Sequence, residues 1–155
     1  MNLPDINVRA AVVADTAAMS ALAYRSKKSN GYDDQVMALF EEGLQITPDR
    51  LQCRPFWVAE LDGQIIGCIA LDPLDGRTAE VRSFFTDPDH RGRGLGHQLW
   101  QAMLTVAQSQ GITRLLAHAD PATLRYYENL GFIQRGEVPS RSLPGRMVPY
   151  MARDI

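Results

Sequence analysis

The sequence has little of what marks out the more specialised classes of protein. Only two cysteines occur among 155 residues, Cys53 and Cys68, with no CxxC pair and no His/Cys spacing suited to zinc. That offers nothing for a disulfide framework or a metal site, and reads as two reduced thiols in a cytoplasmic protein. The longest apolar stretch, around Ile65 to Leu71, is far too short to span a bilayer. The opening MNLPDINVRA lacks a basic segment followed by an apolar one, so no secretory leader is expected. Net charge is nearly absent: 16 Lys and Arg stand against 18 Asp and Glu, for −2 overall, which gives no reason to expect nucleic acid or an anionic membrane as partner. Repeats, low-complexity tracts and linkers are missing too. What remains, 45% hydrophobic and 22% charged residues over this length, suits one compact domain with a real core.

The order of elements can be read from periodicity and punctuation. Residues 6–10 form a short strand. Asp15 stands as N-cap of a helix running to about Arg25, and Ser26 to Asp34, with Asn30-Gly31, is a loop. Val36, Leu39, Phe40 and Leu44 have helical spacing, ended by Gly43 and Pro48. Two β-rich runs, 56–61 and 64–71, flank Asp62-Gly63, a type I′ hairpin signal. Thr78 to Thr86 is a further strand. Leu95, Leu99, Trp100, Met103, Leu104 and Ala107 make the apolar stripe of a long helix stopped by Gly111. Ile112 to Ala119 is a strand, Pro121 to Leu130 a helix capped by Asp120, and 132–138 and 146–152 two last strands. The resulting β-α-α-β-β-β-α-β-α-β-β order means a mixed α/β sheet with helices on both faces.

The most informative stretch joins the strand 78–86 to the long helix: Asp87-Pro88-Asp89-His90-Arg91-Gly92-Arg93-Gly94-Leu95-Gly96-His97. Glycines at alternate positions let backbone approach a ligand, and the free N–H groups of a helix start favour an anion there. Arg91 and Arg93, with His90 and His97 nearby, add positive charge, so a diphosphate fits. A P-loop needs Gly-Lys-Ser/Thr, and Gly96 is followed by His97-Gln98. A dinucleotide fingerprint fails as well, because the sixth position from Gly92 is His97 and from Gly94 is Leu99. A plain glycine-rich turn with solvated arginines is the remaining alternative.

Arg91-x-x-Gly94-x-Gly96 at a strand-to-helix junction resembles the R/Q-x-x-G-x-G/A signature of the GNAT superfamily of acetyl-CoA-dependent N-acetyltransferases. Arg125-Tyr126-Tyr127-Glu128-Asn129-Leu130-Gly131-Phe132 is similar to the family's F-Y-E-x-L-G-F segment. The resemblance covers the whole chain and implies a mostly antiparallel central sheet of about seven strands with helices on both faces. It implies that the backbone of Phe84, Phe85 and Thr86 bonds the pantetheine amides of acetyl-CoA. Arg91, Gly92, Arg93, Gly94, Leu95, Gly96 and His97 would then hold its diphosphate. Tyr126 stands where relatives usually have phenylalanine, and Asp120 where many have asparagine; both are expected near the coenzyme. No metal is implied. Dimers are common in the family, although no residue here argues for a homodimer.

Acetyl transfer to an amine sets its own demands. With a pKa of ~10.4, only roughly one amine in a few thousand is neutral at pH 7, so the site must remove a proton and must also supply one to the departing thiolate. By resemblance Tyr127 is the acid. It shares a helical face with Leu124 and Leu130, so packing is the competing role. Glu80, which alternation puts on one face with Arg82 and Phe84, is the candidate base, or else the partner of a salt bridge to Arg82. His118, alone on a strand, reads as structural. The acceptor side falls to Tyr24, Asn30, Tyr32, Asp33 and neighbouring charges, and to the loop 139–146 with Arg141 and Arg146. Asp33 or Asp34 could hold an ammonium, and Arg25, Arg141 or Arg146 a carboxylate. The expected activity is N-acetylation of a small-molecule or peptide amine. The alternatives are a catalytically silent acetyl-CoA sensor and a transferase using a hydroxyl or a longer acyl chain.

Overall fold

The computed structural model describes residues 5–155. The reading of the first ten residues therefore falls in part outside the described residues. The elements in chain order are β1 (Asn7–Ala10), α1 (Thr16–Lys28), α2 (Asp34–Leu44), α3 (Pro48–Cys53), β2 (Phe56–Leu61), β3 (Gln64–Pro73), β4 (Thr78–Thr86), α4 (Leu95–Ser109), β5 (Arg114–His118), α5 (Leu124–Asn129), β6 (Ile133–Pro139) and β7 (Met147–Asp154). Seven strands form one sheet in the order β1-β2-β3-β4-β5-β7-β6, antiparallel throughout except for the β4–β5 pair. Asp62 and Gly63 both have positive φ, as the type I′ hairpin between β2 and β3 requires.

Each face of the sheet has its own apolar layer. On one face α4 lays down Leu95, Leu99, Trp100, Met103 and Ala107 against Ile69, Leu71, Ala79 and Val81. On the other, Met19, Leu22 and Ala23 of α1 and Met37, Phe40 and Leu44 of α2 cover Val58, Cys68 and Ala70. No helix of the described residues is long and apolar enough to cross a membrane.

Four local expectations need correcting. Asp15 does not cap α1 through its side chain: its carboxylate accepts from Arg9 (2.8 and 3.0 Å) and from the Val12 N–H (2.8 Å). A charge-assisted fork to arginine outcompetes a neutral helix amide, and Arg9 also reaches Glu60 on β2 at 2.8 Å. α1 runs to Lys28, three residues past the predicted end at Arg25. Leu39 is 55% exposed, and Met37 takes the core position instead. Pro48 opens the short α3, where a missing N–H is harmless at the first position and Thr47 caps by accepting from the Arg50 N–H.

The correction that matters for function is in β4. Glu80 pairs with Leu116 of β5, and no later residue of β4 pairs with that strand. Just beyond, Arg82 faces Ala70 and Phe85 faces Cys68, so Ser83 and Phe84 stand against Ile69 alone. This is a β-bulge, with Ser83 at φ 50°. The extra residue resets the alternation: Phe84 turns to the α4–α5 face and Phe85 to the α1–α2 face. Glu80 and Phe84 therefore lie on opposite faces, not on one. β5 meanwhile stays with β7 as far as His118↔Tyr150. The two parallel strands diverge, and a gap opens at their carboxyl ends.

The packing of α4 on the sheet sets the position of one end of that gap. Gly67 on β3 lies beneath α4, where a Cβ would come within 2.7 Å of Leu99 Cδ1 and 3.1 Å of Leu95 Cδ1. Gly67→Val should cost about 1–3 kcal/mol in urea denaturation by pushing α4 outward. An unchanged midpoint would mean that the helix–sheet contact is slack.

Candidate functional site

The gap between β4 and β5 continues into a cleft of about 690 Å³ that runs along the start of α4. Its near wall is β4 from Glu80 to Thr86 and its far wall is Ala122 to Leu130, while Arg91 to His97 close one end. The cleft thus lies beyond the carboxyl ends of two parallel strands, where the peptide groups facing the gap have lost their ladder partners.

Local sequence explains the end wall. Gly94 is the N-cap residue of α4, at φ 74°, and offers no side chain, so the helix's first amides have no side-chain cap. Gly96 serves differently. It lies within the helix, but a Cβ there would meet the hydroxyl of Tyr126. Arg91 leans back onto α1, donating to Ser29 Oγ at 2.9 Å and to Thr86 Oγ1 at 3.4 Å. Arg25 of α1 reaches Asp87 at 3.1 Å, which fixes the loop's origin.

The aromatic wall follows from the bulge. Phe84 meets Tyr126 and Tyr127 edge to face, with ring centroids 5.5 and 6.5 Å apart. Tyr127 is buried, and burial pushes its phenol well above the ordinary value. It is therefore a protonated hydroxyl across the physiological range, bordering the cleft.

Where the strands part, the site is ionic. Arg141 donates to both oxygens of Glu80, at 2.7 and 2.8 Å, and Arg82 Nε lies 3.7 Å from the same carboxylate. Burial pushes the Glu80 carboxyl up, but the bonds and charge of Arg141 more than offset it, so the group sits below its usual value. His118 borders the cleft beside this pair, with its Nδ1 buried and lacking a partner among the described residues. Burial, then the charge of Arg141, lowers its imidazole pKa despite Glu80, so it is neutral at pH 7.

The predicted residues separate clearly. Phe84, Phe85, Thr86, Arg91, Gly92, Gly94, Leu95, Gly96, His97, Tyr126 and Tyr127 all border the cleft, as do Glu80, Asn30, Asp120 and Arg141. Arg93, Tyr24, Tyr32 and Asp33 do not. The Asp33 carboxylate caps α2 through the Val36 N–H at 2.9 Å, and Tyr24 lies on α1 beneath the Lys28 ammonium. Tyr32 donates to Asp120 Oδ2 at 2.7 Å, where the Lys27 ammonium also sits at 2.7 Å, and Arg146 donates to the Tyr32 hydroxyl at 2.7 Å. Asp120 thus ties α1, the α1–α2 loop and the β6–β7 loop together. Sequence reasoning set His118 aside and counted Lys27 only among the charges of the acceptor side. A histidine at the carboxyl end of a central strand was the available signal. Among the described residues, no group of three His, Cys, Asp or Glu side chains is arranged to hold a metal.

The Asp120 network should dominate the stability of this region. Burial pushes its carboxyl up, but Lys27, Tyr32 and the Ala122 N–H hold it below the usual range. Asp120→Ala is expected to cost about 3–5 kcal/mol, because the Lys27 ammonium would be left without its partner. Since the folded value is depressed, this stabilisation is full at neutral pH and is lost as pH falls through that value. A variant as stable as wild type in a pH series of thermal melts would contradict the assignment.

Comparison with known proteins follows the same lines. The chain is 31% identical over 94 residues to the N-acetylaspartate synthetase of Danio rerio, a match covering 58% of this chain and 33% of that protein. It is 34% identical over 83 residues to the uncharacterized N-acetyltransferase YsnE of Bacillus subtilis, covering 50% of this chain and 54% of that one. The chain therefore spans between a third and about half of the length of these relatives. The crystal structure of the PaiA N-acetyltransferase of Thermoplasma acidophilum in complex with coenzyme A superposes with a TM-score of 0.81 at 17% identity, over 97% of this chain and 99% of that one. That likeness speaks to the fold. Residues 20–132 match the pattern of the Acetyltransferase (GNAT) family, and the chain belongs to that family.

Proposed function

We propose that this chain transfers an acetyl group from acetyl-CoA directly to the amine of a small molecule or peptide. One observation carries the reading: the gap between β4 and β5 leads straight to the uncapped amides of α4. A ligand with a diphosphate at one end and an amide-bearing arm at the other matches both parts, and coenzyme A has that build. The Thermoplasma acidophilum neighbour contains coenzyme A, and the Danio rerio relative is named an N-acetylaspartate synthetase.

The residues present fit such a ligand. Nothing lies within 4 Å of the missing Cβ atoms of Gly92 and Gly94, so the amides from Gly92 to His97 have room to grip a diphosphate, with Arg91 at the cleft's edge adding charge. On β4, the backbone of Phe84, Phe85 and Thr86 would take the arm's amides, and Tyr126 and Asp120 would border it. When bound, acetyl-CoA supplies an activated thioester, and the enzyme needs no covalent intermediate of its own.

Two proton movements fall to this chain. Tyr127, protonated and buried beside the gap, donates to the departing sulfur. For the amine proton, Glu80 is the residue expected from sequence, but Arg141 holds both its oxygens and keeps it a weak base. His118, neutral and bordering the same end of the gap, is the better acceptor, with the Glu80–Arg141 pair setting its charge environment.

Calorimetric titration should show coenzyme A and acetyl-CoA binding, and thiol release over a panel of amines should show turnover. Failure to bind either would overturn the reading, and binding without turnover on a broad panel would turn it into a sensor. Tyr127→Phe should lower kcat by ~10²- to 10⁴-fold with coenzyme A affinity kept. Because a base must be deprotonated to act, kcat/KM should fall as pH drops through the His118 value, which lies below that of an ordinary imidazole. His118→Gln should abolish that limb. If Glu80→Gln abolishes it instead, the base is Glu80.

A further inference from the structure

A second cavity, of about 140 Å³, lies next to the cleft, and Lys27, His118, Asp120 and Arg141 border both. It is also lined by Phe40 of α2 and by Ser140, Ser142 and Arg146 of the β6–β7 loop. That loop is shaped in advance: Ser140 Oγ accepts from the Ser142 N–H at 3.2 Å and from the Leu143 N–H at 3.0 Å. The volume suits a small acceptor, and His118, at the end of β5 where β4 and β5 part, borders both the cavity and the cleft.

Charge around this end of the site does not balance. Lys27 and Arg146 share Asp120, at 2.7 and 3.7 Å. Arg141 and Arg82 share Glu80, at 2.7 and 3.7 Å. Arg82 and Arg54 share Asp72, at 3.3 and 3.8 Å. Five cations thus stand against three carboxylates, in a chain whose overall charge is −2. Arg146 has donors to spare, since its closest contact is with the neutral hydroxyl of Tyr32. An amine carrying no negative charge would enter this positive field as an ammonium at a cost. An amine with its own carboxylate offsets the surplus and finds the planar guanidinium forks that match it.

We infer that the acceptor is a small amine bearing a carboxylate, of amino-acid type, with the carboxylate against Arg146 and Arg141 and the nitrogen toward His118. The inference rests on the acetyl-transfer reading and narrows its acceptor. In the reaction the entering ammonium gives one proton to His118. The C–N bond then forms as the C–S bond breaks, the thiolate takes a proton from Tyr127, and the new amide's surplus proton restores Tyr127. The His118 proton leaves to solvent.

The test compares matched substrates on the wild-type protein. Thiol release from acetyl-CoA is measured with each of the common L-amino acids and with the amine left by removing its carboxylate. At least one amino acid should be consumed, with kcat/KM about 10- to 100-fold above that of its decarboxylated partner, the scale of a charge-assisted pair. Arg146→Gln should shrink that ratio through KM, while coenzyme A titration stays at its wild-type value. Amines preferred over their amino acids would overturn the inference, as would a protein that binds coenzyme A and consumes no amino acid. If coenzyme A itself does not bind, the acetyl-transfer reading fails, and this inference fails with it.

Discussion

Past the Glu80↔Leu116 pair, β4 keeps β3 as a neighbour but loses β5, and the site depends on that loss. Buried peptide groups need hydrogen-bond partners, so two strands that part inside a sheet leave a row of amides and carbonyls set to bind something peptide-like. The bulge at Ser83 helps the strands to part, because the extra residue bends and twists β4 just where β5 turns away toward β7. It also chooses which side chains meet the gap. With Phe84 turned to α5 and Phe85 to α1, aromatic rings line one side of the opening and the ionic group around Glu80 lies on the other.

The two ends of the site use positive charge in different ways. At the α4 end it comes mainly from the backbone: bare helix amides and the macrodipole, with arginine in support. At the other end it comes from side chains that share too few carboxylates, held in place by Asp120 and Glu80. The pKa shifts follow from this arrangement. Both carboxylates are held down against the effect of burial, and His118 is kept neutral by burial and by the cations around it. A field that keeps an imidazole neutral leaves its lone pair free to accept a proton while lowering its proton affinity.

Much of this could be read directly from the chain. The strand Thr78–Thr86, the glycine loop and the α4 stripe of Leu95, Leu99, Trp100, Met103 and Ala107 depend on local periodicity and on glycine conformation, and each stands where expected. The Asp62-Gly63 hairpin is of the same kind. The readings that failed were those in which a distant partner outbid a local rule. Asp15 prefers Arg9 to its own helix, and Leu39 gives its core position to Met37 because the sheet lies on the other side of α2. The expected alternation through Glu80, Arg82 and Phe84 was broken by a bulge that no residue type announces.

From the sequence alone came the fold class, the order of elements apart from the short α3, and the glycine loop, each signalled by patterns within a few residues. Only the tertiary structure decided which ionic groups meet. Arg141 lies 61 positions from Glu80, and Tyr32 lies 88 from Asp120. A salt bridge over that separation leaves no trace in local pattern, because it exists only once β6 and β7 have brought their loop over the carboxyl ends of β4 and β5. The ionic character of that end of the cleft therefore had to wait for the fold, whereas the glycine loop and the helix start it opens were legible in the chain itself.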